Sequence, residues 1–477
     1  MKSAALTVAL LIFTVNFAGL LHAETPTSES EVESPVSFRN DVAPILLRRC
    51  LSCHGPRRQE GEYEVTNYDM ILDAVTPGNT RRSSLYRLLI RKDLRRRMPK
   101  DKDPLPHQEI ETIRLWVEEG ARFDAGDPKA PIRKIVPRPR HRAPPPRYDL
   151  PLPVTAMAFS PDGKALATSG YHEVQIWDVE SGKILRRIDN IAERTYGLEF
   201  HPSGRLLAVA CGTPAEYGEV LLVDPATGDI VKQLTTLADV AFGVTFSPDG
   251  SRLATTAADA SIRIFAVNDG PDAVEELFLP DHHSDWVLNV AWNSDGSRLV
   301  SASRDKTSKT FDGKTGEVQS TYVGHQKPVY GVAFSSDGSL VYTAGADNKI
   351  HYWKSAPSLD TAMSERGADP KIVHSIGGYS KPIYGLTFGN NFLFSFAADR
   401  QVNLHRASDR ALLRSFAGHR ERVYAMAYHV ESKRLATGDF AGEVKIWNVD
   451  DGKTFQSFFA APGFPPTDPA NWRRADL

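Results

Sequence analysis

The chain has 477 residues, 41% hydrophobic and 24% charged, with a formal charge of -2. That length exceeds one ordinary core, so two or more domains are expected, and the near balance of charge gives no global reason to expect nucleic acid or an anionic membrane surface as partner. Three cysteines, Cys50, Cys53 and Cys211, exclude a disulfide scaffold.

Residues 1–23 carry Lys2, an apolar run from Ala4 broken by Asn16, and Leu21-His22-Ala23 before Glu24. This pattern predicts a secretory signal peptide cleaved after Ala23 and hence a periplasmic or otherwise exported protein; a retained anchor is the competing reading.

Residues 36–125 read as a small all-α domain. "FRNDVAPILLRRC" has the spacing of a short helix, with Asn40 or Asp41 available as cap, running into "CLSCH" at 50–54. Cys50 and Cys53 fall one turn apart, the separation two thioether bonds to one porphyrin require, and the adjacent His54 is placed to ligate iron. A chance match or half a zinc site is the alternative, but there is no second cysteine pair to complete a metal tetrad. For the second axial position the candidates are Met70, Met98 and His107. Met98 lies in the polar loop "RRRMPKDKDPLP", which suits a thioether aimed inward; Met70 reads as core filling and His107 as a solvated or capping residue. Arg91, Lys92, Arg95, Arg96, Arg97, Lys100 and Lys102 surround Met98, as a solvated face softened by Asp93, Asp101 and Asp103 or as a collar for an acidic redox partner. The segment 106–120 predicts a closing helix with Ile110, Ile113, Trp116 and Val117 on one face, packed across the first helix.

These landmarks, the pentad, "TPGNTRRSSLYRLL", "RMP" and the Trp-containing helix ending in Gly-Ala, resemble the planctomycete-type cytochrome c domain. The resemblance implies one covalent haem c on Cys50 and Cys53, His54 as proximal ligand and Met98 as distal ligand. Lys100 departs from that family's Met-Pro-Pro and loosens the loop.

Residues 126–153 are dense in proline and predict an extended spacer, stretched by repulsion among its Lys and Arg residues. From 154 to 461 seven copies of one pattern recur about every 44 residues, the period of a propeller blade. Each copy reads as four strands, with "SPDG"-type turns placing Gly163, Gly250, Gly296 and Gly338 at positive φ. Closure by packing of the first and last blades is expected, with a strand borrowed from 132–136 as the alternative. The pattern resembles WD-repeat propellers, through Gly324-His325, Gly418-His419, turn residues Asp259, Asp305, Asp347 and Asp399, and Trp177, Trp353 and Trp447. Tyr171 and Ala441 stand where Asp is usual in blades 1 and 7, and blade 2 lacks most polar signatures, so those blades are expected to be less tightly tied. The resemblance implies that His325 and His419 are structural. His282 and His283 read as a degenerate Gly-His position, although adjacent loop histidines could also meet a ligand. The insertion 354–371 reads as a surface loop and 462–477 as a tail.

The fold expected is therefore mainly β, a seven-bladed propeller preceded by a small all-α domain. The function expected is exported one-electron transfer, with the propeller as a docking platform for a redox partner protein, no nucleic acid and no membrane span in the mature chain. Competing readings are an oxidoreductase with a second cofactor or metal in the propeller, and a haem-based sensor or scaffold.

Overall fold

The computed structural model describes residues 35–464 apart from 52, 56–57, 268–275, 279–282 and 356–371. The expected signal peptide, His282, nearly all of the 354–371 insertion and the tail from 465 lie outside the described residues. No helix among the described residues is long and apolar enough to cross a membrane.

The first domain is built from short helices. Phe38–Val42 forms a π-helical turn that runs straight into α1 (Ala43–Arg49). Its cap is Ser37, whose Oγ accepts the Asn40 N–H at 3.0 Å, rather than Asn40 or Asp41, both of which lie inside the turn. Helices α2 (Tyr68–Ile71), α3 (Ser84–Leu89) and α4 (His107–Glu118) follow. Trp116 on α4 is wholly buried, beside Phe38 at 5.4 Å between ring centroids and Tyr68 at 6.4 Å, and its Nε1–H donates to the Arg122 carbonyl. That cluster pins α4 against the turn entering α1, as the sequence predicts. Met70 differs from expectation: it is 38% exposed, because α2 is only one turn long and spends its buried position on Ile71.

Seven four-stranded antiparallel sheets follow. Blade 1 spans Met157–Phe159 to Ile184–Ile188, and blade 7 spans Val423–His429 to Thr454–Phe459. The first strand of every blade lies beside the first strand of the next, and that of blade 7 beside that of blade 1, which closes the ring. Every blade owns all four of its strands, so closure is by packing. Across the seam the Val154 N–H donates to the Asp439 carbonyl at 3.1 Å, and the Gln456 amide to the Glu180 carbonyl at 3.1 Å. Inner strands approach so closely that a Cβ on Gly331 would sit 2.8 Å from the Gly385 Cα in the next blade. The turn glycines 163, 250, 296 and 338 all have φ between 67° and 74°.

The segment after the first domain is no free spacer. Ile132–Ile135 forms one helical turn, α5, whose Ile132 and Ile135 join the core of the first domain. Arg133 Nη2 donates to both Glu276 oxygens at 3.2 Å in blade 3. Arg138 makes a paired contact with Glu219 in blade 2, Nε to Oε2 at 2.7 Å and Nη2 to Oε1 at 2.9 Å, and His141 Nε2 lies 2.9 Å from the same carboxylate. Tyr148 donates its hydroxyl hydrogen to the buried Glu173 of blade 1 at 2.6 Å. Of the cations expected to keep this segment stretched by mutual repulsion, Arg133, Lys134 and Arg138 instead meet carboxylates of blades 2 and 3.

The same contacts correct the expectation of loosely tied blades. In blade 7 the His419 Nδ1–H donates to Asp439, Thr437 links His419 Nε2 at 2.7 Å, and Trp447 Nε1–H donates to Thr437 at 2.8 Å. The aspartate is thus Asp439, two positions before Ala441, and the network is complete. Blades 1 and 2 lack a histidine at the Gly-His position and receive Tyr148, Arg138 and His141 from the segment 126–153, which acts as a strap. His283 in blade 4 contacts Asp305 at 2.8 Å and Ser301 at 2.6 Å, and His325 in blade 5 contacts Asp347 and Thr343 at 2.8 Å.

Candidate functional site

The site begins where α1 stops. Cys50 closes that helix, and the N–H groups of Cys53 and His54 both return to the Cys50 carbonyl, at 3.1 and 3.0 Å. This tight turn brings both thiols and the imidazole to one wall, on the turn beyond α1 rather than along its face. Gly55 must lack a side chain, since a Cβ there would lie 2.6 Å from the Leu51 carbonyl oxygen. His54 Nδ1 lies 3.1 Å from the Tyr63 carbonyl, so Nδ1 carries the hydrogen and Nε2 keeps its lone pair for a ligand. Tyr63 was invisible to sequence reasoning as a site residue, because its contribution is a backbone oxygen.

Met98 lines the same cavity as these groups, partly buried against the core of this domain and tied by its own N–H to the Leu88 carbonyl at the end of α3, at 3.0 Å. The loop is thus anchored despite Lys100. The intervening segment is fixed by Ser83, fully buried, whose Oγ donates to the Asn79 carbonyl and accepts the Thr76 N–H.

The cavity has a volume of about 860 Å³ and is lined by Cys50, Cys53, His54 and Met98 together with Val65, Leu85, Leu88, Leu89 and Leu105. Its volume is in the upper part of the range of cofactor-sized sites, roughly 300–1,000 Å³. Charged side chains also line the cavity, Arg49, Glu62 and Asp73 as well as Lys100, Asp101 and Lys102. Neither cysteine is in a disulfide. Burial, with the charges of Glu109 and Cys53 adding to it, pushes the Cys50 thiol up to about 12, so it stays a neutral thiol. Met70 and His107 do not line the cavity, and His107 is exposed at the start of α4. A cavity of this size, lined by two thiols, an imidazole, a thioether and a set of leucines, fits a haem.

The propeller histidines are otherwise engaged. His325, Asp347 and His351 place ligand atoms within 4.8 Å of one another, as do His419, Asp439 and Glu443. Both ring nitrogens of His325 and of His419 are spent on hydrogen bonds, and His351 Nδ1 meets the Tyr322 hydroxyl at 2.6 Å. Burial, then the charge of His325, pushes His351 down to about 4, and it is neutral at pH 7. These clusters are structural.

Comparison with known proteins accords with this geometry. The family profile described as planctomycete cytochrome C matches residues 50–102, from the first cysteine of the pentad to just beyond Met98. The WD domain, G-beta repeat, profile matches 148–178, 232–265, 275–312, 316–354 and 410–448. The chain joins a planctomycete-type cytochrome c domain to a WD-repeat propeller. The blades that the WD-repeat profile leaves unmatched are blade 2, where Glu219 is held by the strap, and blade 6, where Tyr379 replaces the usual histidine and meets Ser395 at 2.5 Å.

Among curated relatives, the chain is 25% identical to Striatin-4 of Mus musculus, over 34% of this chain and 22% of that protein. It is 28% identical to pre-mRNA-processing factor 19 homolog 2 of Arabidopsis thaliana, over 30% of this chain and 27% of that protein. It is 26% identical to the guanine nucleotide-binding protein subunit beta-like protein of Encephalitozoon cuniculi, over 37% of this chain and 54% of that protein. The chain therefore spans between about a fifth and about a half of the length of these relatives. WD-repeat propellers generally mediate protein interactions, and the cytochrome c match points to a haem.

Proposed function

We propose that this cytochrome c–WD-repeat protein is an exported one-electron carrier, with a single covalent haem c on Cys50 and Cys53, His54 and Met98 as its axial ligands, and the propeller as the platform on which a redox partner docks. The observation that carries this reading is that those four side chains line one cavity. Haem iron supplies Fe(III)/Fe(II) exchange and requires no bond of a substrate to break. The Tyr63 carbonyl holds the His54 ring in the orientation that frees Nε2. Leu85, Leu88, Leu89 and Leu105 exclude water from the cavity, which with thioether ligation favours the reduced state and a raised potential. Residues 1–23 direct export in this reading, consistent with haem attachment outside the cytoplasmic membrane.

The test is a visible spectrum, oxidised and reduced, together with the intact mass, of protein exported in a host with haem-maturation machinery. Expected are a retained haem mass, an N-terminus at Glu24 and a sulfur-to-iron band toward the red in the oxidised protein that Met98→Ala abolishes. Colourless protein with the mass of the bare chain overturns the proposal, and an unchanged band in Met98→Ala removes Met98 from the ligand set.

A further inference from the structure

Where α5 lies against the outer strand of blade 2 (Ile230–Leu237), a second cavity opens between the first domain and the propeller. It has a volume of about 230 Å³ and is lined by Arg133, Lys134 and Val136 of the strap, by residues 232–236 of blade 2, and by Phe265 and Glu276 of blade 3. One side belongs to the first domain, since Ile132, Ile135 and Val136 are core residues there, and the other belongs to two blades. Drug-sized ligands occupy roughly 300–1,000 Å³, so an occupant here has few heavy atoms.

The lining holds more positive charge than its one carboxylate uses. Glu276 is 7% exposed; Arg133 Nη2 donates to both of its oxygens at 3.2 Å, and Arg263 Nε lies 3.4 Å from Oε1. Asp259, the other acid of this cluster, pairs with Arg263 at 2.6 Å. The Lys134 ammonium is left 3.9 Å from Glu276, beyond hydrogen-bonding distance. Lys232 has no carboxylate within ion-pair distance among the described residues. It is nonetheless half-buried and stands on the face toward blade 3, because its register partner Leu222 belongs to the core between blades 2 and 3. A lysine held there without a counter-charge costs free energy that an anion would return.

The strand that carries Lys232 is also shaped at this place. Its register breaks twice, between Ile230 and Lys232 and between Gln233 and Thr235, whereas the outer strands of blades 1, 4, 5, 6 and 7 break once each. The second break leaves Leu234 without a register partner and bends the edge beside the cavity.

We infer that this cavity binds a small organic dianion, a dicarboxylate or a phosphomonoester, held between Lys134 of the strap and Lys232 of blade 2 with its hydrocarbon part against Val136 and Phe265. Two ammonium groups match two negative charges, and the enclosed space is too small for a length of peptide or nucleic acid. Because the two lysines belong to different domains, the bound dianion is a clasp: the strap opens only after it has left.

Nothing in this inference depends on the haem, and its test uses the full holoprotein. Succinate and glycerol 1-phosphate are titrated by isothermal titration calorimetry in a chloride buffer, with acetate as the singly charged control. At least one dianion is expected to bind with a stoichiometry of one. Binding of succinate alone assigns the dicarboxylate class, binding of glycerol 1-phosphate alone the phosphomonoester class, and binding of both a site that reads charge. Affinity is expected to fall at least tenfold in Lys232→Gln and in Lys134→Gln, and to be unchanged in Lys314→Gln, on an exposed turn of blade 4. A ligand that binds only the closed joint makes opening rarer by the factor 1 + [L]/Kd, so at about ten times Kd tryptic cleavage after Arg140 and Arg142 is expected to slow about tenfold. Failure of both dianions to bind at millimolar concentration, acetate binding as tight as theirs, wild-type affinity in Lys232→Gln, or cleavage that saturating ligand leaves unchanged overturns the inference.

Discussion

The strap between the two domains gives a sharp test through Arg138. Its partner Glu219 is fully buried, and besides the two bonds from Arg138 it is held by His141 at 2.9 Å, the Tyr217 hydroxyl at 3.1 Å and the Gln233 amide at 3.2 Å. Burial alone would raise the Glu219 carboxyl, but the hydrogen bonds from His141 and Arg138 and their charges outweigh it and hold the group below its ordinary 4.5. Arg138→Ala leaves a buried carboxylate without its main counter-charge, a change that costs about 3–5 kcal/mol; the three remaining donors place this case near the lower figure. Tenfold per 1.4 kcal/mol makes 3 kcal/mol roughly a 100-fold rise in the opened strap. Trypsin cleavage after Arg140 and Arg142, followed by mass under conditions where opening is fast, reads that population directly. Arg138→Lys, which keeps charge but loses the fork, should fall between. The sign with pH follows from the depressed carboxyl: the wild-type advantage is complete above pH 4.5 and is lost as pH falls through the folded-state value. Cleavage less than about fivefold faster in Arg138→Ala would refute the claim that this pair fastens the strap.

Cys50→Ser or Cys53→Ser alone should reduce the fraction of exported protein carrying covalent haem mass, and the double substitution should abolish it, as read by denaturing mass spectrometry. Asp439→Ala removes the acceptor of the His419 Nδ1–H at the seam and should lower stability by about 2–3 kcal/mol, measured by urea unfolding. Glu199, partly buried between the inner strands of blades 2 and 3, is raised to about 7 by burial. A folded carboxyl that holds its proton more tightly than the unfolded chain loses stability as pH rises from about 4.5 to 7. Glu199→Gln should therefore remove a loss of order 2–3 kcal/mol and melt higher than wild type at pH 8, with no difference at pH 4.

What the sequence made legible was short-range. The pentad and the glycine turns each specify their geometry within about ten residues, and seven repetitions multiplied a weak strand signal into a ring. The strap was illegible because Arg138 finds Glu219 81 positions later and Arg133 finds Glu276 143 positions later, and proline density spoke only for the local backbone. Asp439 was missed since it stands two positions earlier in the repeat, at the end of the second strand where blade 5 has Gly345, while the strand registers of the two blades are the same. Met70 was misplaced because helical periodicity was assumed to outlast a single turn.

The seam between blades 7 and 1 has a consequence for biosynthesis. His429 reaches the carbonyl of Pro161 across 268 positions, and Gln456 reaches Glu180 across 276, so the earliest blade made cannot find its neighbour until the last has emerged. Contacts of such sequence separation form late and slowly. A nascent or truncated chain therefore carries two bare blade flanks throughout elongation, and the cell must shield them from pairing with a second copy until the circle shuts.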